Sequence, residues 1–118
     1  MSENVVKQKS FDFALKIIEL QKSLVEQKEF VMSKQIMRSA TSIGANIRES
    51  EYAESKADFI HKLAIALKEA NETEYWLELL FYSKTINESS YNELQANLKE
   101  LLRLLISIIK TSKASMKK

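Results

Sequence analysis

Residues 38–50, RSATSIGANIRES, decide the fold of this chain. Ala40, Ile43 and Ile47 recur at intervals of three and four residues, and Met32 and Ile36 extend the same row toward the N-terminus. This spacing is typical of one face of an α-helix, so we predict a helix over residues 30–52. Small residues in the same stretch allow a neighbouring helix to approach closely. They are Ser39, Ala40, Ser42, Gly44 and Ala45.

The composition of the whole chain agrees with a helical protein. Its 118 residues contain no proline and a single glycine, whereas hairpins and strand bulges usually need these residues. Apolar residues make up 45% and charged residues 29%, which is enough to form a buried core. We expect one all-α domain over residues 1–118. The lack of cysteine excludes disulfides, thiol catalysis and cysteine-bound metal sites.

Three further helices are predicted around residues 30–52. They cover residues 10–27, 55–84 and 88–111, and a flexible basic tail is expected to follow. Ser55 and Asp58 have the spacing of a capping box at the start of the third helix. The links are short, which favours antiparallel neighbours. The simplest arrangement is an antiparallel up-down-up-down four-helix bundle.

The apolar faces of the first and last helices are wider than one small bundle needs. At about 100° per residue each face covers roughly 200°, whereas a little over 100° is enough to pack a helix once. We expect the row through Phe11, Leu15 and Ile18 to face the core and a second row to contact further copies, which predicts a homo-oligomer. The predicted oligomer interface consists of Phe13, Ile17, Leu20, Leu24, Trp76, Leu102, Ile106 and Ile109. The alternative is a tight bundle that wraps these helices on three sides.

Polar residues also recur at helical spacing in the second and third helices. One row contains Arg38, Ser42, Asn46 and Glu49, and the other contains Glu69, Glu72 and Thr73 with Trp76 on the same side. We interpret them as an interhelical polar network that fixes register, with Arg38 paired to Glu69 or Glu72. The Asn46 amide is expected to find a facing glutamate or threonine. The alternative is a groove that binds a ligand.

Residues suited to catalysis or metal binding are sparse. The one histidine, His61, lies three residues after Asp58 on the same helix face. A di-iron site in a four-helix bundle needs a second pair of this kind, so we interpret Asp58 and His61 as a surface pair. With Gly44 as the only glycine, no phosphate-binding loop can form. We predict no enzymatic activity, no metal and no cofactor.

Export and membrane insertion are not indicated by the sequence. Residues 1–9 contain no apolar run that could serve as the core of a signal peptide, and Arg103 and Ser107 interrupt the longest apolar stretch. We therefore expect a cytoplasmic protein that does not bind membranes.

The end of the chain is strongly basic. From Lys99 onward there are six basic residues and one acid, Glu100. One interpretation is a solvated helix end, because lysines suit the negative end of the helix dipole. The other is a surface that binds an acidic partner.

Four stretches carry the pattern of a known family. They are residues 38–47 followed by Glu49, segments 59–67 and 68–80, and the leucine-rich last helix. Together they resemble the proteins of the 23S rRNA intervening sequence family, also called the S23 ribosomal protein family. Ser50 departs from the pattern, because members commonly carry glycine there, and this leaves the end of the second helix open. The resemblance implies a four-helix bundle that forms a ring-like homopentamer.

Two hypotheses about function follow. Some family members are encoded within ribosomal RNA genes, and a related group is implied to bind nucleic acid as accessory proteins of a reverse transcriptase. The first hypothesis is a non-enzymatic oligomeric accessory protein that binds RNA or DNA without sequence preference, because a ring multiplies a modest basic surface. Its candidate phosphate contacts are Arg103, Lys110, Lys113, Lys117 and Lys118. The second is a protein–protein interaction scaffold without nucleic-acid binding, anchored by Tyr75, Trp76, Phe81 and Tyr82.

Overall fold

The computed structural model describes residues 2–116, and four helices account for most of them. They are α1 (Ser2–Glu26), α2 (Phe30–Ser50), α3 (Lys56–Tyr82) and α4 (Glu88–Met116). No strand occurs within residues 2–116. The predicted all-α, four-helix class is therefore confirmed.

Side chains cap the starts of α2, α3 and α4 by accepting a backbone hydrogen bond from the residue three positions later. Ser55 accepts at 3.0 Å before α3, as the capping-box spacing predicts. Glu29 accepts at 3.0 Å before α2, and Asn87 accepts at 2.8 Å before α4. After α1 and α3 the chain turns through Lys28 and Lys84, both with a φ of 64°. These left-handed positions end helices without the glycine that usually occupies them.

The first and last helices are longer than the sequence pattern predicts. α1 begins at residue 2 rather than at residue 10, and within this extension Val6 is buried in the core. α4 continues to Met116, so residues 112–116 are helical where we expected a flexible tail. Ser112 is buried in that last segment. Packing against the other helices thus extends both ends beyond the strongly periodic part of the sequence.

Helices that follow one another in the chain are also neighbours in space. α2 contacts α1 and α3, and α4 contacts α3 and α1. The pairs α1–α3 and α2–α4 have no close backbone contact within residues 2–116. All four helices contribute to one core. Its largest fully buried side chains include Phe13, Ile17, Leu24, Ile36, Ile43, Leu63, Leu77, Leu80, Leu98, Leu101 and Leu105.

Gly44 of α2 lies against Ser10 of α1. A Cβ atom at position 44 would lie 3.4 Å from the Ser10 hydroxyl oxygen, and this hydroxyl donates to the Lys7 carbonyl at 2.9 Å. A methyl group fits at this distance as an ordinary van der Waals contact, whereas a larger side chain does not. The small residues of α2 therefore permit a close approach of α1 at this point.

The predicted orientation of α1 is wrong. The four α1 residues that we assigned to the oligomer interface are all buried within the protomer. They are Phe13, Ile17, Leu20 and Leu24. Phe11 and Leu15, which we expected in the core, are instead 46% and 48% exposed.

The physical reason for this orientation is a lysine in the exposed row. Phe11, Leu15, Ile18 and Val25 share their face of α1 with Lys22. Burying this row would remove the Lys22 ammonium from water, which is strongly unfavourable. The row that is buried contains no charged residue, and Lys22 stays in solvent, where it pairs with Glu19 at 3.0 Å.

The remaining predicted interface residues lie on α3 and α4. Ile106 is 53% exposed, whereas Ile109 is buried and Trp76 and Leu102 are partly buried against the core. Most side chains that we assigned to contacts between copies are therefore used within one protomer. The large exposed apolar side chains of α1 and the start of α2 are Val5, Phe11, Leu15, Val25, Phe30 and Val31.

Substitutions of Gly44 distinguish the effect of helix propensity on the free energy of unfolding from the effect of packing against α1. Gly44→Ala should raise the free energy of unfolding by about 0.5–1 kcal/mol, because alanine favours the helix and its methyl group fits. Gly44→Leu should lower it by about 1–3 kcal/mol, because the larger side chain must displace α1. Urea unfolding followed by circular dichroism, at one protein concentration, measures both changes.

The control for this experiment is the neighbouring Ala45, which is exposed. Ala45→Gly should lower the free energy of unfolding by up to about 1 kcal/mol through helix propensity alone. A Gly44→Leu protein as stable as the unmodified chain would contradict the close approach of α1 and α2.

Candidate functional site

A basic face runs along the outside of α4. Arg103, Lys110 and Lys113 are seven and three residues apart, which places them on one side of the helix. All three side chains are exposed, and none forms an ion pair with another residue of the described range 2–116. Ile106 lies among them and is also exposed. The helical segment 112–116 holds Lys113 in line with the other two.

The acidic side chains Glu93 and Glu100 of α4 do not neutralise the positive charge of this basic face, because they pair with residues of α1. Glu100 turns toward α1 and pairs with Lys9 at 3.2 Å. Lys99 lies on the basic face and is exposed, so it is an additional candidate that the sequence prediction omitted. The predicted contacts Lys117 and Lys118 lie outside the described residues. We define the basic face as Lys99, Arg103, Lys110 and Lys113.

An ion cluster joins α2 to α3. The Arg38 guanidinium donates to Glu69 at 3.1 Å and also to Glu72. The Trp76 indole N–H donates to the same Glu72 carboxylate at 3.0 Å. These two donors, first Trp76 and then Arg38, hold the pKa of Glu72 below its ordinary value, and Glu72 in turn raises the pKa of Arg38. The predicted partners of Arg38 are thus brought together, and Trp76 belongs to this cluster.

A second polar contact between α2 and α3 is fully buried. The hydroxyl groups of Thr73 and Ser39 hydrogen-bond to each other at 2.8 Å, and both residues are 0% exposed. Thr73 also lies 2.8 Å from the Glu69 carbonyl oxygen. Sequence reasoning placed Thr73 in the network but treated Ser39 only as a small residue. The position of Ser39 on the core side of an apolar helix face indicates a buried hydroxyl, and such a group needs a hydrogen-bond partner.

The other members of the predicted network have different partners. The Asn46 amide donates to the Ser42 carbonyl at 2.8 Å, and the Ser42 hydroxyl donates to the Arg38 carbonyl at 2.8 Å. Asn46 therefore does not reach a facing glutamate or threonine, because the carbonyl one turn earlier satisfies its amide within α2. Glu49 pairs with Lys62 of α3 at 2.9 Å. This ion pair raises the pKa of Lys62.

An aromatic surface covers the second half of α3. Tyr75 and Trp76 meet edge to face with ring centroids 5.3 Å apart. Phe81 stacks on Tyr91 of α4 at 4.2 Å, and Tyr82 contacts both rings. Tyr75 and Tyr82 are well exposed. The four predicted aromatic anchors thus follow one another along α3. Two of them, Trp76 and Phe81, contact mainly other residues of the protomer.

The described residues contain no assembled metal site. Within residues 2–116, no group of three or more histidine, cysteine, aspartate or glutamate side chains is placed to hold a metal ion. His61 is exposed, and the Asp58 carboxylate accepts a hydrogen bond from the Glu54 backbone N–H at 3.1 Å. None of the helices in this range has the length and hydrophobicity needed to span a bilayer.

These features define a small four-helix bundle with a polar seam between two helices and a basic face on the last one. The chain belongs to the 23S rRNA-intervening sequence protein family, whose profile matches residues 2–107. The match includes both polar rows and most of α4. No curated protein matches the chain.

A solved structure supports the same assignment. It is a protein of unknown function from the S23 ribosomal protein family of Bacteroides thetaiotaomicron, and it is 64% identical to this chain. The match covers 93% of this chain and 99% of that protein, with a TM-score of 0.91. The resemblance inferred from residues 38–50 and 68–80 is therefore confirmed, and the relative itself is described as having no known function.

The single tryptophan provides a direct readout of Glu72 protonation. Because the Trp76 indole N–H donates to Glu72, its NMR chemical shift should follow the charge of the carboxylate. We expect a titration midpoint below 4.5, the ordinary value for glutamate. In Arg38→Gln the midpoint should rise toward 4.5, because one of the two donors that lower the pKa is lost.

The same pKa shift determines how stability depends on pH. A carboxyl group whose pKa is lowered on folding stabilises the native state above its unfolded pKa, and this contribution is lost as the pH falls through the folded pKa. Glu72→Gln should therefore lower the melting temperature at pH 7 and have little effect near about pH 2. Glu78→Gln, an exposed change on the same helix, should have little effect at either pH. An indole midpoint above 4.5 would contradict the proposed contacts.

Proposed function

We propose that this protein is a non-enzymatic, cytoplasmic accessory protein that assembles with itself and binds RNA or DNA without sequence preference. The observation that carries the proposal is the basic face of α4. Its four side chains are exposed, lie on one side of α4 and have no carboxylate partner within residues 2–116. Charges arranged in this way are suited to successive phosphates of a nucleic-acid backbone.

Assembly of several copies would strengthen the interaction of the basic face with nucleic acid. One chain carries a net charge of +2, which by itself gives little attraction to a polyanion. In the homopentamer that the family resemblance implies, five chains would carry about +10. Several basic faces could then bind one strand at the same time, and the affinity would rise through effective concentration rather than through new contacts.

The proposed contact between copies is the exposed apolar face of α1. Phe11, Leu15 and Val25 share this face, and each is at least 40% exposed. Lys22 lies in the same row, and in the proposed contact its ammonium would stay in water at the edge, paired with Glu19. Phe30 and Val31 add exposed apolar surface at the start of α2. Apolar surface of this extent on a small protein usually marks an interface between chains. This face replaces the residues that the sequence analysis assigned to the oligomer interface.

We also propose the antiparallel up-down-up-down order for the bundle. Ion pairs between α1 and α4 support it, because Lys9 pairs with Glu100 and Lys16 pairs with Glu93. Residue numbers therefore rise along α1 as they fall along α4. The short links 27–29, 51–55 and 83–87 are also suited to antiparallel neighbours.

A protein–protein scaffold is the second candidate function. Tyr75 and Tyr82 on α3 are well exposed and have aromatic neighbours that fix their rings. Tyrosine side chains of this kind are frequent anchors at protein interfaces. This surface is separate in sequence from the basic face of α4, so substitutions can distinguish the two functions.

We expect nucleic-acid binding that weakens steeply with salt and depends on the basic face. Fluorescence anisotropy with labelled RNA and duplex DNA of unrelated sequence measures it from about 50 to 300 mM salt. The triple substitution Arg103→Glu, Lys110→Glu and Lys113→Glu should weaken binding at least about tenfold and reduce the salt dependence, because phosphate contacts are lost.

The matched control is Lys28→Glu, Lys34→Glu and Lys84→Glu, which changes the net charge by the same amount at exposed positions outside α4. It should keep most of the affinity. Equal losses in both variants would mean that only net charge matters and would overturn the assignment to α4. No binding at the lowest salt would overturn the nucleic-acid function and favour the scaffold.

Charges placed on the apolar face of α1 should break the assembly. We expect Leu15→Glu with Val25→Glu to reduce the mass measured by light scattering to that of one chain, because assembly would then remove two carboxylates from water. Ala64→Glu with Asn71→Glu adds the same charge to exposed positions of α3 and should leave the mass unchanged. An unmodified protein that is already monomeric would contradict the proposed assembly.

A further inference from the structure

A groove lies where the start of α3 meets the end of α4. It encloses about 500 Å³. Lys56 and Phe59 of α3 form one side, and the segment from Ser107 to Ser115 of α4 forms the other. The groove does not include any residue of the basic face or of the ion cluster between α2 and α3. None of the functions proposed above uses it.

The α4 side of the groove is rich in hydroxyl groups. Ser107, Thr111, Ser112 and Ser115 all line it. Ser112 is only 9% exposed, and its hydroxyl forms no hydrogen bond with another residue of the described range, but it is not fully shielded from solvent and lines the groove. The other buried serines each donate to a carbonyl of their own helix. A hydroxyl on the wall of a groove that has no protein partner is free to bond to water or to a ligand.

The α3 side of the groove supplies a positive charge. The Lys56 ammonium lies 3.4 Å from the Ser115 hydroxyl and forms no ion pair within residues 2–116. Glu54 lies two residues before Lys56 in the sequence, and the two side chains form no ion pair within residues 2–116, while two further acids are engaged elsewhere. Asp58 accepts from the Glu54 backbone N–H, and Glu51 pairs with Lys7 at 2.8 Å. The charge of Lys56 is therefore available to an anionic group in the groove.

The floor of the groove is apolar. Phe59 and Ile108 form it, and the same two side chains border an adjoining cavity of about 390 Å³. Val6, Ile47 and Leu63 line one part of that second cavity, and Glu51 with polar residues lines another part. An apolar chain lying across Phe59 and Ile108 would thus continue onto more apolar surface.

We propose that this groove binds a small amphiphilic anion. Its carboxylate or phosphate head contacts Lys56 and the hydroxyl groups of Ser112 and Ser115. Its apolar chain lies on Phe59 and Ile108. The positive charge of Lys56 and the hydroxyl of Ser112 favour an anionic head group on the ligand. The two adjoining cavities limit the length of the ligand's apolar chain. This site is independent of nucleic-acid binding.

Calorimetric titration of the full-length protein with four probes tests the proposal. Octanoate and octyl phosphate carry the two anionic heads on one apolar chain, octyl glucoside carries the same chain on an uncharged head, and inorganic phosphate carries no chain. We expect a dissociation constant of about 1 mM or tighter for at least one of the two amphiphilic anions. The tighter of the two identifies the head group. Backbone NMR shifts at Phe59 and Ser112 locate the bound probe.

Two substitutions and one control complete the experiment. Lys56→Gln and Ser112→Val, each checked for folding by circular dichroism, should weaken binding of the anion at least about tenfold. Lys84→Gln removes an exposed lysine at the far end of α3 and should have no effect. The proposal is overturned by equally tight binding of octyl glucoside, by unchanged binding in both groove variants, or by no binding below about 10 mM.

Discussion

The buried hydroxyl pair of Ser39 and Thr73 is the contact on which the arrangement of α2 and α3 depends. Both residues are completely inaccessible to solvent, so each hydroxyl must find its partner inside the protein. A shift of one helix by one residue would separate the two groups, and each hydroxyl would keep only a carbonyl of its own helix, that of Ile36 for Ser39 and that of Glu69 for Thr73. The same register brings Arg38 to Glu69 and Glu72 at the surface. The interior contact and the exposed ion cluster therefore favour the same register of α2 and α3.

Periodicity and composition predict the number and class of the elements but not which face of α1 is buried. Two apolar rows share that helix, and both have helical spacing. Lys22 in the row of Phe11 and Leu15 was the signal that this row stays in solvent. The first eight residues of α1 carried no strong apolar pattern, so only the burial of Val6 reveals that they belong to the helix.

The polar network was predicted correctly where a charge needs a countercharge and wrongly where a local partner was available. Glu49, the one acid of α2, lies eleven residues after Arg38, so the guanidinium pairs instead with glutamates of α3. The Asn46 amide instead uses a carbonyl one turn away, which sequence spacing cannot distinguish from a partner on another helix. The three proposed surfaces lie on three different helices. The apolar surface is on α1, the aromatic surface on α3 and the basic surface on α4.

The order of the helix contacts also has a kinetic consequence. Three of the four helix pairs join elements that are adjacent in the chain, and only the pair α1–α4 requires the two ends of the chain to meet. Contacts of short sequence separation form quickly because little loop-closure entropy is lost. With no proline in the chain, no slow peptide isomerisation can delay them. Docking of α1 on α4, which brings Lys9 to Glu100, is then the step with the largest entropic barrier, and the ends of the chain set the rate of folding.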